Sequence, residues 1–151
     1  MSRSLWRADA GASTVEFAFV AGILFLLLLG VLDFGLGFWT QIQVGNAARA
    51  GAEYAVSSYS QKGFDSAGIQ ASILNAVNLS TIQASPAPTQ TCGCPTASGI
   101  ASASCTGTCA GGAAAGFYVT VRAQAAYSTI FGWPGISNPI TLTAMQVVRV
   151  K

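Results

Sequence analysis

Four cysteines carry the most explicit chemistry in this chain. Cys92, Cys94, Cys105 and Cys109 share one stretch, the first two spaced C-x-C and the last two C-x3-C. Thiolates grouped this way can hold zinc or pair as disulfides, depending on spacing and compartment. The C-x-C half falls outside the usual zinc spacing, so two disulfides are the expectation and zinc the rival. Cys92 and Cys94 are poorly placed to bridge each other, so each is expected to reach Cys105 or Cys109. Closing such a loop stabilises by about 3 kcal/mol, mostly by restricting the unfolded chain. Histidine is absent. That removes imidazole acid–base catalysis, Ser-His-Asp and Cys-His arrangements, and His-ligated zinc. Beyond Gly11 the acids are Glu16, Asp33, Glu53 and Asp65, scattered along the chain. With no paired carboxylates, phosphate loop or metal cluster, no catalytic residue, metal or cofactor is expected.

Glu16 stands out by its context instead. It ends the stretch Gly11-Ala-Ser-Thr-Val-Glu, and Phe17 opens the longest apolar run in the chain. A carboxylate drawn unpaired into lipid costs several kcal/mol. One reading holds Glu16 at headgroup level, where its charge complements a helix N-terminus. The sharper reading cuts the chain after Gly11. Ala12 would then carry a charged α-amine four residues before Glu16, on the same helix face. Between stacked chains, the same carboxylate could neutralise a neighbour's amine, so that the buried charge encodes assembly.

These residues need a membrane element to position them. The chain has 151 residues, about one domain, with 52% hydrophobic and only 8% charged side chains. Soluble domains average about 25% charged. The net charge of +2 is too small and scattered for nucleic-acid binding. Phe17 to Trp39 is apolar apart from Asp33 and would form about 34 Å of helix, enough to cross a bilayer. Arg3 and Arg7 precede it, which predicts a cytoplasmic N-terminus and an extracytoplasmic C-terminal part. An ordinary cleaved signal fits poorly, because the apolar region is too long and no small-x-small site follows closely.

Three blocks now line up: Gly11 with Glu16, Phe17 and Ala18; Asp33-Phe34-Gly35; and Asn46 to Ala52 followed by Tyr54-Ala55. In this order the stretch Gly11 to Ala55 resembles the TadE-like family of the Tad/Flp (tight adherence, type IVc) pilus machinery. It departs from that family in two places. Ala21-Gly22 stands where an early proline is common, and Glu53 where a second arginine often follows Gly-Ala. The resemblance implies a pilin-like subunit, cut by a prepilin peptidase between Gly11 and Ala12, with Glu16 and Phe17 in recognition and assembly. It implies a bacterial inner-membrane protein that can pass into the surface pilus. Its partners would be the peptidase, other pilin-like subunits, the inner-membrane assembly platform and membrane lipid, with no nucleic acid. The major pilin of such systems is essentially one helix, so a domain of about a hundred residues points to a minor, initiating subunit.

Beyond the span, the helix should continue to about residue 60, with Val44, Ala47, Ala48, Gly51, Ala52 and Ala55 forming a stripe of small side chains. Arg49 and Glu53 are expected to form a modest surface ion pair; an interface role for Arg49 rests on the resemblance. Gln61 to Phe64 should break the helix, and Asp65 or Ser66 should cap a second one over Ser66 to Asn78. Residues 85–116 read as a cysteine-bearing loop. Phe117 to Ser128 and Ile140 to Val150 alternate as half-buried strands, the first with Phe117 inward and Tyr118 outward. The connection between them carries Phe131 and Trp133 as interface candidates. The expected fold is α+β and pilin-like: a leader (1–11), a transmembrane and continuing helix (12–60), and a small extracytoplasmic domain (61–151). Two other functions fit less well: an unprocessed single-pass assembly factor, and an anchored adhesin using Trp133 and the cysteine loop.

Overall fold

The computed structural model describes residues 6–151. Arg3, and the side chains of Arg7 and Ala12, lie outside the described residues. The element order is α1 (Trp6–Lys62), α2 (Ser66–Asn75), β1 (Ile82–Gln83), β2 (Thr89–Thr96), β3 (Gly99–Ser102), β4 (Gly116–Tyr127) and β5 (Ile140–Arg149). The fold is α+β, as the residue pattern predicts. The chain divides into two compact units, one ending at Phe38 and one running from Trp39 to Lys151.

The N-terminal unit is helical. The first proline of the chain is Pro86, so nothing in α1 removes a helix hydrogen bond. Its large side chains, among them Phe17, Phe25, Leu27 and Val31, are exposed. The helix is long and apolar enough to cross a membrane.

In the C-terminal unit, α1 supplies one layer and a five-stranded antiparallel sheet the other. β4 is the central strand. Along one edge it pairs with all of β5, from Tyr118↔Arg149 to Tyr127↔Ile140. Along the other it pairs with β1 and β2, and β2 pairs outward with β3. The small-residue stripe is buried as its spacing requires: Val44, Ala47, Ala48, Ala52 and Ala55 face Ile69 and Ile73 of α2 and Val119, Val121, Ala123 and Ala125 of β4. Small side chains let the backbones approach closely. A Cβ built on Gly51 would come within 2.6 Å of Ile73 Cγ1 and 3.0 Å of Val121 Cγ1.

The turn between the helices is built from three residues. Gly63 takes φ +69, the left-handed conformation that ends a helix without a Cβ penalty. Asp65 is the N-cap of α2, its Oδ1 accepting from the Gly68 N–H at 2.9 Å. Its Oδ2 accepts from the Tyr54 hydroxyl of α1 at 2.9 Å, so one carboxylate ties the two helices.

Four expectations need correction. Residues 85–116 are not simply a loop, since they contain β2 and β3. The second helix ends at Asn75 rather than Asn78; Ala76 closes it with a bond to the Ile73 carbonyl, and Val77 still packs on the core. Tyr118 is buried, not outward and solvated, because Arg149 stands directly across the ladder and Gly116 leaves room beside the ring. Arg49 and Glu53 are both exposed on α1, and among the described residues no ion pair joins them. Long side chains in water gain little by holding one geometry.

Candidate functional site

The sequence-marked residues fall into three groups. Gly11, Glu16 and Phe17 lie on α1 in the N-terminal unit, all exposed. Helix geometry sets Glu16 about one and a half turns from Gly11, so the acid's place relative to the Gly11–Ala12 bond is fixed by backbone hydrogen bonds alone. A Cβ added at Gly11 would meet nothing within 4 Å. Glycine in a helix interior costs about 1 kcal/mol relative to alanine, and no packing among the described residues compensates. Gly22 and Gly35 in the same unit are equally open, so space alone does not single out Gly11.

The cysteines form the second group, and all four are paired. Cys92 bonds Cys105 and Cys94 bonds Cys109, with Cα–Cα separations of 5.0 and 5.5 Å. The two bridges interlace along the chain and leave no thiolate for zinc. Cys92 and Cys94 are on β2, between Phe117 of β4 and Ala101 of β3. Cys109 lies in a tight excursion closed by an isolated bridge between Thr108 and Ala114, and Cys105 lies just before it. Gly111 and Gly112, at φ +92 and +84, make its turn, and the Gly112 N–H donates to the Cys109 carbonyl at 3.0 Å. The lobe is tied to α1 through Gln90, whose Nε2 donates to the Tyr59 hydroxyl at 2.9 Å, and through a Tyr59–Phe117 ring contact at 6.4 Å.

Phe131 and Trp133 form the third group, in the connection between β4 and β5. Arg49 joins none of these groups. It lines an open surface hollow of the C-terminal unit with Glu53, Val56 and Val148. The Tyr54–Asp65 bond was not legible beforehand, although an acid at a helix start could have suggested a capping partner. Hydrogen bonds from Gly68 and then from Tyr54 hold the Asp65 carboxyl below the usual carboxylate range, with Lys62 adding to the effect.

One comparison speaks to the first group. A family model described as TadE-like protein matches residues 11–53. The TadE-like match opens at Gly11 and takes in Glu16, Phe17, Asp33 and Arg49; α2, the disulfides and the sheet lie outside it. The match covers 43 of the 151 residues, so it likens this segment to TadE-like proteins and leaves the rest of the chain without a counterpart. Nothing matches among curated proteins or solved structures.

Proposed function

We propose that this chain is a minor pilin of a Tad-type pilus, processed by a prepilin peptidase and acting in initiation, assembly or adhesion. The observation that carries the reading is where the TadE-like match begins, at Gly11, with Glu16 close behind it on an unbroken apolar helix. Gly11 supports it too, because no contact among the described residues requires glycine there; a peptidase groove that must approach the backbone does. In this reading α1 spans the inner membrane with its N-terminus in the cytoplasm, and the disulfides form in the oxidising compartment outside. After cleavage, the Ala12 amine and the Glu16 carboxylate of neighbouring subunits pair as their apolar helices stack, which makes each charge tolerable away from water.

Intact mass and N-terminal sequencing of the protein from its own host test this directly. Loss of Met1 to Gly11 removes about 1.2 kDa and exposes Ala12. An intact Met1 terminus would instead make the chain a permanent single-pass assembly factor. Glu16→Ala should leave membrane insertion intact and block incorporation into the pilus; normal piliation in that variant would sink the amine-pairing role.

A further inference from the structure

The connection between β4 and β5 has an apolar surface that the C-terminal unit does not cover. Ile130, Phe131 and Ile136 are 60%, 40% and 37% exposed, and Trp133 between them is half-buried. From Ser128 to Pro139 there is no charged side chain. The loop is nonetheless built rather than slack. Trp133-Pro134-Gly135-Ile136 is a turn with Gly135 at φ +81 and the Ile136 N–H donating to the Trp133 carbonyl at 3.1 Å. Proline and then glycine at its centre are what a type II turn requires. At its base Asn138 binds Thr129 from both sides, accepting from its N–H at 3.2 Å and donating to its carbonyl at 3.4 Å.

The direction of this loop follows from two contacts inside the C-terminal unit. Gln41 Nε2 of α1 donates to the Thr143 carbonyl of β5 at 3.0 Å. Further along, Ala52 lines a hollow with Val148. Gln41 to Ala52 is about 16 Å of helix, and Thr143 to Val148 about 17 Å of strand. The two elements therefore run side by side in the same direction. Ile140, where β5 starts, lies about 10 Å before Thr143. Trp39, where the unit starts, lies only about 3 Å before Gln41. The loop thus overhangs the start of the unit by about 7 Å, on the side where the chain enters from its apolar run. The strand's charges, Arg149 and then Lys151, are at the opposite end.

We propose that the β4–β5 connection is a second membrane contact, in which Ile130, Phe131, Trp133 and Ile136 dip into the lipid interface beside the emerging helix. This rests on the membrane-spanning reading of α1. If Trp39 marks the end of the span, an overhang of about 7 Å covers the headgroup layer of one leaflet, roughly 5–7 Å deep. Tryptophan with apolar neighbours and no charge is the composition that favours that layer. The contact would fix the domain's tilt on the membrane before the subunit is drawn into a filament.

Tryptophan quenching in the full chain reconstituted into phospholipid vesicles tests it. Trp6→Phe with Trp39→Phe leaves Trp133 as the reporter. Adding Trp133→Phe and Ile136→Trp moves the reporter to a more exposed point of the same loop, and Trp133→Phe with Leu27→Trp places it in the span. Lipids brominated near the headgroup should lower emission from both loop reporters about twofold, while aqueous acrylamide quenches them weakly; lipids brominated deep in the acyl chains should quench the reporter at position 27. Loop reporters that acrylamide quenches and brominated lipid does not, beside a quenched reporter at position 27, would overturn the inference and leave the span standing. Shielding from both quenchers would mean that protein covers the loop, which also overturns it. A reporter at position 27 that escapes lipid brominated deep in its acyl chains would remove the membrane-spanning reading itself, and this inference with it.

Discussion

The two halves of α1 share one backbone and obey opposite packing rules. From Phe17 to Phe38 the large side chains, Phe, Leu and Val, face outward. From Val44 to Ala55 the side chains are mostly small, and the stripe they form is the best-buried surface of the helix. In water a helix hides its largest apolar groups and exposes its smallest. The inversion in the first half fits a surrounding as apolar as the side chains themselves, as lipid is. In the second half, small residues are chosen for the close approach of sheet and α2, not for hydrophobicity. Exposure therefore means different things on either side of Phe38, and substitutions can break or sharpen that contrast.

The largest expected effect lies in the half that folds around a core. Replacing both residues of one bridge by serine, Cys92 with Cys105 or Cys94 with Cys109, should cost about 3 kcal/mol. Because the two loops overlap, losing both should fall short of the sum. Denaturant unfolding of the full chain in detergent micelles, followed by tryptophan emission, reads this. Helicity of the N-terminal half should not change, since none of its hydrogen bonds depends on the sheet. Loss of that helicity on reduction would mean that the two units are not independent.

Charge substitution separates the solvents. Leu27 and Val56 are comparably exposed, at 61% and 50%. Leu27→Arg should weaken membrane insertion by about 2.5–3.5 kcal/mol, whereas Val56→Arg should change stability by no more than about 0.5 kcal/mol. Resistance to carbonate extraction reports the first and thermal unfolding the second. Equal tolerance at both positions would argue that the first half does not meet lipid.

One substitution should even change sign along the helix. Gly51→Ala puts a methyl where Ile73 and Val121 already stand, and overpacking of that kind costs about 1–3 kcal/mol. Gly35→Ala meets nothing within 4 Å and should gain up to about 1 kcal/mol from helix propensity. Thermal unfolding of the two variants beside the parent decides it. Destabilisation by Gly35→Ala would reveal a close neighbour there, such as a second copy.

The same contrast explains what could be read before any coordinates. A three- and four-residue stripe or a two-residue alternation is visible when burial selects side chains. That is why the core stripe of α1, the α2 pair Ile69 and Ile73, and strands β4 and β5 were legible. β2 and β3 were not. Their sequence, Thr-Gln-Thr-Cys-Gly-Cys-Pro-Thr and Gly-Ile-Ala-Ser, has almost no apolar bulk, and β3 is exposed throughout. Register with β4 and two disulfides hold these strands, and neither leaves a periodic trace. Tyr118 escaped notice for a related reason, since its cover comes from Arg149, thirty-one positions away along the chain. The candidate processing segment is the reverse case. Gly11 and Glu16 were legible from residue types and order, while their geometry, an exposed helix, adds only that nothing among the described residues explains them.

The smallest effect concerns the joint between α1 and α2. Asp65 holds Gly68 and Tyr54 at once, and its carboxyl is held below the usual carboxylate range chiefly by those two bonds. A carboxylate with a depressed folded pKa binds fewer protons folded than unfolded. It adds stability above the ordinary carboxylate pKa of about 4 and loses it as pH falls through the lower folded value. The difference in unfolding midpoint between the parent and Asp65→Asn should therefore be constant from neutral pH to about pH 5 and shrink below about pH 4. Asparagine caps a helix nearly as well as aspartate, so this variant isolates the charge and keeps the cap. Tyr54→Phe removes the other end of the bond, and in the Asp65→Asn background it should do less than alone. A pH-independent difference would assign the whole contribution of Asp65 to hydrogen-bond geometry. The two helices would then be joined by the cap and the core pair Ile69 and Ile73, with no electrostatic share.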